Sequence, residues 1–249
     1  KDFQATFDLR LDYVENRINA ENSYPNGSRF VLQQSDSLFF VSPKLTLDYT
    51  VTPNLLVYGT TGLGFKPSGF TVPMLNSNLS SHYKKETAWQ SEIGLKSNWF
   101  NKRLNLNVSG FYYDIKNYQV ERFFTTFDYT MTNAAKAHSY GFEVESQANI
   151  IDYLWLETAF GYTKTRFDRY QDPISKVSYI GNNAPFVPDF TGTVALQYKH
   201  PQGYFARAEW LWTGRTFFNE ENTAAMHQND YSIGNIRMGY ELKNYSLYG

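Results

Sequence analysis

The chain has 249 residues, a net charge of −1 from 23 basic and 24 acidic side chains, no cysteine, and a mean hydropathy of −0.50. Balanced charge excludes the basic field of a nucleic-acid binder. The missing thiols exclude a disulfide framework and a thiolate metal site, and no apolar run approaches the ~20 residues of a membrane-spanning helix.

The first element begins at once. From Asp2 to Tyr13, Phe3, Ala5, Phe7, Leu9, Leu11 and Tyr13 alternate with Asp2, Gln4, Thr6, Asp8, Arg10 and Asp12. Such a strand has one face fit for hydrocarbon and one fit for water. The second segment sets Val41, Leu45, Leu47, Tyr49 and Val51 against Ser42, Lys44, Thr46, Asp48 and Thr50, then turns at Thr52-Pro53-Asn54. The third, Leu55 to Phe65, leaves its faces open because Leu55 and Leu56 are both apolar.

The pattern returns around Trp89–Leu95, Leu104–Tyr112, Tyr140–Val144, Leu154–Tyr162, Val194–Tyr198 and Tyr204–Trp212. Tyr231–Leu242 is the most irregular segment, and another begins at Tyr245. Aromatic pairs gather at segment ends: Trp99 with Phe100, Tyr112 with Tyr113, Tyr153 with Trp155, Trp210 with Trp212. At 18% aromatic, the chain carries its apolar content in rings, which suit membrane interfaces.

Short connections (52–54, 98–103, 149–153, 200–203, 243–244) alternate with long ones (16–37, 66–85, 122–137, 164–186, 214–229). All short turns then lie at one end of an antiparallel meander and all long loops at the other, as in outer-membrane barrels. The segments run roughly 10 to 14 residues, against about 5–6 for globular strands and 9–11 for a tilted membrane strand. No helical period and no linker is visible, so the reading is all-β: a single antiparallel up-and-down transmembrane β-barrel unit over 1–249. The runner-up architecture is a soluble β protein that binds glycans through its rings.

Ser42–Phe70 (SPKLTLDYTVTPNLLVYGTTGLGFKPSGF), Glu86-Thr87 leading to Glu92-Ile-Gly-Leu-Lys96, Asn133-Ala134 leading to Tyr140-Gly-Phe-Glu-Val-Glu145, and Asn183-Ala-Pro-Phe-Val-Pro188 follow one another along the chain. Together they resemble the barrel of TonB-dependent outer-membrane receptors, and the Gly203-Tyr-Phe-Ala-Arg-Ala-Glu209 hairpin resembles siderophore-receptor members most. The resemblance implies a barrel of about 22 strands around an N-terminal plug. It implies a protein of the bacterial outer membrane, in contact with its lipid and lipopolysaccharide. The ligand is implied to be a ferric siderophore, imported with energy from the TonB–ExbB–ExbD complex, and no resident cofactor, metal or enzymatic chemistry is implied. Heme, cobalamin or a glycan are alternative ligands, and a barrel protease or lipase is a weaker alternative. The plug and the remaining strands are absent from this chain. It is expected to be an internal piece, roughly strands 11 to 20 with the start of 21, whose bare edges hydrocarbon does not tolerate.

Anionic, aromatic ferric siderophores favour Arg or Lys beside rings. By position the ligand candidates are Lys66, Tyr83, Arg122, Tyr129, Arg166, Arg169, Tyr170, Arg215 and Phe217. The four histidines (82, 138, 200, 227) have no metal-ligand spacing. Glu143 and Glu145 share a strand face and could serve acid–base chemistry; the resemblance makes them a lumen wall facing the plug. Gly62-Leu-Gly64 precedes Pro67 and no helix, so it is no dinucleotide loop. Ser139 and His138 are strand neighbours on opposite faces and form no dyad.

Overall fold

Where apolar and polar residues alternate, the backbone pairs as strand. The computed structural model describes residues 2–23, 29–71, 82–123, 129–172, 175–242 and 245–248. Its main sheet is built from β1 (Phe3–Ser23), β2 (Arg29–Thr52), β3 (Leu55–Lys66), β6 (Glu86–Trp99), β7 (Leu104–Phe123), β8 (Tyr129–Ile151), β9 (Leu154–Tyr170), β10 (Phe190–Lys199), β11 (Tyr204–Thr213), β14 (Tyr231–Leu242) and β15 (Tyr245–Tyr248). These eleven strands pair antiparallel with their sequence neighbours, from β1 to β15. Two small ribbons, β4 (Gly69–Phe70) with β5 (His82–Tyr83) and β12 (Thr216–Phe217) with β13 (His227–Gln228), sit in the long connections. Among the described residues there is no helix able to cross a membrane.

The register propagates one two-faced pattern across the sheet. Leu9 opposes Pro43, Leu45 opposes Thr61, Thr61 opposes Ser91, and Ser91 opposes Tyr112. Tyr112 opposes Tyr140, Phe142 opposes Tyr162, and Val194 opposes both Thr158 and Trp210. This settles β3, whose outer face carries Val57, Gly59, Thr61 and Leu63, while the Phe65 ring packs against the buried Phe40 at 4.3 Å. It also settles β14, whose outer face carries Ser232, Gly234, Ile236, Met238 and Tyr240. Tyr113 and Trp155 fall on the inner face, so two of the ring pairs expected as girdles are split between the faces.

The outer face is apolar and unpartnered: Phe7 is 66% exposed, Ile93 66% and Ile236 75%. From Phe3 to Tyr13, Phe39 to Tyr49, Thr87 to Leu95, Leu104 to Tyr112, Tyr140 to Ala148 and Leu154 to Tyr162, its positions carry no Asp, Glu, Lys or Arg. A single Lys or Arg there at bilayer midplane costs about 2–4 kcal/mol, which is why the exclusion is strict. Tyr49, Tyr198, Tyr204 and Tyr240 ring the short-turn end, and Tyr13, Trp89, Tyr112, Tyr140 and Trp212 ring the other. Between the belts lie the 9–11 residues a tilted strand needs.

The inner face is charged and internally bonded. Arg207 donates to Glu157 at 2.7 Å, to Glu209 at 3.1 Å and to Gln197 at 3.0 Å, and Asn235 donates to Glu209 at 3.2 Å. Tyr58 donates to Glu92 at 2.6 Å. That ring lies over Gly94, where a Cβ would stand 2.6 Å from the Tyr58 hydroxyl.

The turns at the short end fall where expected at 53–54, 100–103, 152–153 and 200–203; 243–244 lies outside the described residues. Gly203 has φ +102°, and a Cβ there would stand 2.2 Å from the Glu241 carbonyl oxygen, so only glycine fits. Two expectations for the long end are corrected. Residues 16–37 and 122–137 are not mostly loop: β1 and β2 stay paired to Ser23 and Arg29, and β7 and β8 to Phe123 and Tyr129. Past the upper aromatic belt the apolar-polar alternation fades while the backbone ladder continues.

Candidate functional site

The long-loop end is folded against the inner face of the sheet. Ile115, Val120, Ala137, Phe167, Tyr170, Tyr179 and Ala184 form a buried cluster, with Tyr113, Tyr118 and Val187 packed against it. The loop after β9 is the lid of this cluster. Phe167 stacks on Tyr170 at 4.9 Å, Tyr170 meets Tyr179 at 5.4 Å, and the Tyr179 amide donates to the Tyr170 carbonyl at 3.0 Å.

Hydrogen bonds tie the long loops to one another. The Asn183 amide donates to the Asn222 side-chain oxygen at 2.7 Å, and the Asn222 side chain donates back to the Asn183 carbonyl at 3.0 Å. Asn182 donates to the Glu220 carbonyl at 2.9 Å, and Tyr179 donates to Glu221 at 2.8 Å. Burial, then the Glu221 carboxylate, raises the Tyr179 hydroxyl above its ordinary value. Tyr118 is pushed up to about 12 by burial and by Glu86 and Glu220. Over β2, Asp36 accepts from the Ser68 hydroxyl and lies 3.3 Å from His82 Nε2, while Asn16 donates to the Ser68 carbonyl at 2.7 Å. The Ser68 bond first and His82 second hold the Asp36 carboxyl below the usual carboxylate value. Gln119 donates to the carbonyls of Pro67 at 2.8 Å and Lys84 at 3.1 Å.

The nine ligand candidates do not form one group. Lys66 lies opposite Glu86 on the inner face near the rim and is exposed. Tyr83 is in β5 with its ring over Gly69. Arg215 lies 5.0 Å over the Phe217 ring, itself 6.0 Å from His227. Tyr129 is exposed near the tip of the β7–β8 hairpin. The Arg122 backbone pairs with Thr130, and its side chain lies outside the described residues. Tyr170 is 2% exposed and belongs to the buried cluster. Arg166 and Arg169 are not brought to the mouth. They oppose His138 and Lys136 in register, and His138 stacks with the outer-face rings Tyr112 and Tyr140, so both lie on the outer wall.

The histidines lie apart from one another. His200 contacts Tyr153 at the short-turn end, and His227 lies 2.7 Å from the Ala224 carbonyl. No group of three or more His, Asp or Glu among the described residues is placed to hold a metal ion. Ser139 bonds Thr165 at 2.7 Å on the face opposite His138. Glu143 and Glu145 line the inner wall beside Gly161 and Thr193. Sequence reading missed the loop ties through Gln119, Asn182 and Asn222. Asn222 has φ +56°, a conformation that Asn tolerates well, but no pattern in the sequence announces its partner.

A charge-free outer face between two aromatic belts, a polar inner face, short turns at one end and bonded loops at the other define a segment of outer-membrane-type β-barrel wall. The family model "TonB dependent receptor-like, beta-barrel" matches residues 1–249, and this chain belongs to that family. The family is one of receptors and transporters rather than enzymes. Similar solved structures include the ferric yersiniabactin uptake receptor FyuA from Yersinia pestis, at 22% identity and TM-score 0.79, covering 99% of this chain and 37% of that one. The ferric-catecholate import receptor Fiu from E. coli K12, in its closed form, matches at 19% identity and TM-score 0.73, covering 98% and 37%. The copper transporter OprC matches at 13% identity and TM-score 0.72, covering 97% and 39%. These likenesses establish the fold. The chain thus spans well under half the length of each.

Proposed function

We propose that this chain is part of the barrel wall of an outer-membrane receptor that imports a ferric siderophore, with TonB-delivered energy acting through a plug that the wall encloses. The observation that carries the reading is the two-faced wall: apolar and charge-free outside, densely ion-paired inside, with the long loops knotted over one end only. An inner face carrying Glu92, Glu143, Glu145, Glu157 and Arg207 suits a filled polar lumen. The family match and the ferric receptors FyuA and Fiu among the similar structures support the ligand class. In this reading Lys66, Tyr83, Arg215 and Phe217 contribute cations and rings to the mouth, where an anionic aromatic chelate gains from both. Tyr170 supports the mouth from beneath, and Arg166 and Arg169 take no part.

The test is iron-limited growth of a strain lacking the parent gene, supplied with single ferric siderophores. Loss of growth on one of them, restored by the intact gene but not by an Arg215→Ala/Lys66→Ala version, supports the reading. Unchanged uptake of every ferric siderophore together with lost copper uptake would replace it.

A further inference from the structure

The ladder between β2 and β3 stops early. It runs from Thr52–Leu55 to Lys44–Gly62, although β2 stays paired with β1 up to Arg29 and β3 with β6 up to Lys66. The seam left between Phe40–Pro43 and Leu63–Lys66 is ~13 Å long. Pro43 stands at its lower end and has no N–H to donate across it. A Cβ at Gly62 would stand 3.1 Å from the Pro43 carbonyl oxygen, so the strands touch there and part above. Leu63 opposes Trp89, which puts the seam at the height of the upper aromatic belt.

Two rings show that the seam is wide enough for a side chain. By parity Phe40, opposite Asp12, points inward, and Phe65, opposite Thr87, follows Leu63 outward. An intact ladder would hold them on opposite faces. Their centroids are instead 4.3 Å apart, and Phe40 is buried. A ring of the outer series thus occupies the seam as a stopper. On the inner side a groove of about 580 Å³ lies against it, lined by Asp8, Arg10, Asp12, Lys44 and Gln90 together with Pro43, Leu63 and Phe65. Arg10 pairs with Asp12 at 2.6 Å, and Lys44 opposes Asp8 in register. Balanced in charge and rich in donors and acceptors, the groove suits an amide-rich head rather than a bare anion. Across the seam the wall is apolar, with Leu9 and Leu45 exposed.

We propose that the β2–β3 seam is a lateral port, stoppered by Phe65, for an amphiphilic ligand. Its peptidic head sits in the groove and its acyl tail passes through the seam into the outer leaflet. In the ferric-import reading, on which this ligand class rests, the imported chelate is an acylated one. The test uses the whole receptor carrying this segment, in phosphatidylcholine vesicles, with a diazirine-bearing fatty acid as the probe. Irradiation attaches the probe wherever an acyl chain reaches, and peptide mass spectrometry locates it. In the unaltered receptor Asp8, Lys44 and Gln90 are labelled well above Glu143, which faces inward on β8. Phe65→Ala, which removes the stopper, raises that labelling. Phe40→Cys/Phe65→Cys, bridged by a short bis-methanethiosulfonate, lowers it to the Glu143 level, and reductant restores it. Equal labelling of the outward Leu45 and Leu47 throughout shows that each variant has inserted. Groove residues at the Glu143 level in the unaltered receptor, or labelling indifferent to the bridge, would overturn the port. No transport step is read, so absent ferric uptake with a labelled groove would sink the import reading and leave the port standing.

Discussion

His138 Nδ1 lies 2.6 Å from Asp168 Oδ1, across the β8–β9 pair and stacked beside the rings of Tyr112 and Tyr140. This contact marks the height at which the outer wall passes from rings to charge, and it sets the scale for the expected behaviour of the rest of the wall.

Below that height a charge on the outer face is costly and one on the inner face is not. Ile93→Arg, in the middle of the outer face of β6, lowers barrel stability by about 2–4 kcal/mol. Asn107→Lys, inward and opposite Glu145, changes it by less than about 0.5 kcal/mol. Urea unfolding of the receptor in lipid vesicles measures both.

Two glycines of the sheet should behave oppositely. Gly203→Ala forces a Cβ against the Glu241 carbonyl at positive φ and costs about 1–2 kcal/mol or more. Gly110→Ala makes only an ordinary contact, 3.8 Å from the Gly141 carbonyl oxygen, and is close to neutral. Folding yield into vesicles separates them.

The Asn183–Asn222 tie should hold two long loops as one unit. Asn222→Gly keeps the left-handed backbone but removes the side chain that both donates and accepts. Losing these two partly buried hydrogen bonds costs about 1–3 kcal/mol locally. Hydrogen exchange of residues 179–190 and 216–228 rises together, while that of β7 and β8 does not.

The Asp36 clasp should open in acid. Its carboxyl is held below the ordinary value by Ser68 and then His82. A depressed carboxyl contributes stability that is present above its unfolded value, about 3.9, and is lost as pH falls through the folded value. Hydrogen exchange at Ser68–Phe70 and His82–Tyr83 therefore increases below about pH 4. Asp36→Asn raises that exchange at neutral pH and flattens its pH dependence.

Much of this molecule is legible from alternation, and particular residues show where alternation stops. Phe3 to Tyr13 gives β1 its faces because lipid and lumen differ sharply. Leu55 and Leu56 do not, and only pairing of Leu45 with Thr61 assigns β3. Past the upper belt the alternation fades, so the extended β1–β2 and β7–β8 ladders leave no periodic trace. The candidate site was readable as residue types at one end of the sheet. It was not readable as sides of the wall: Arg166 qualifies by chemistry and position, but parity with Tyr162 puts it outside. Tyr170 was hidden differently, because its burial depends on Tyr179 folding back over it.

The central claim is the two-faced wall, and this segment brings no cysteine of its own to a labelling experiment. Single cysteines placed at Phe142, Glu143, Val144 and Glu145 of β8 in the full receptor can be spin-labelled in lipid bilayers. Their collision rates with molecular oxygen, which partitions into lipid, and with a water-soluble nickel chelate can then be compared. The account predicts high oxygen accessibility at 142 and 144 and low at 143 and 145, a strict period of two. Equal accessibility of all four positions to the nickel chelate would contradict it.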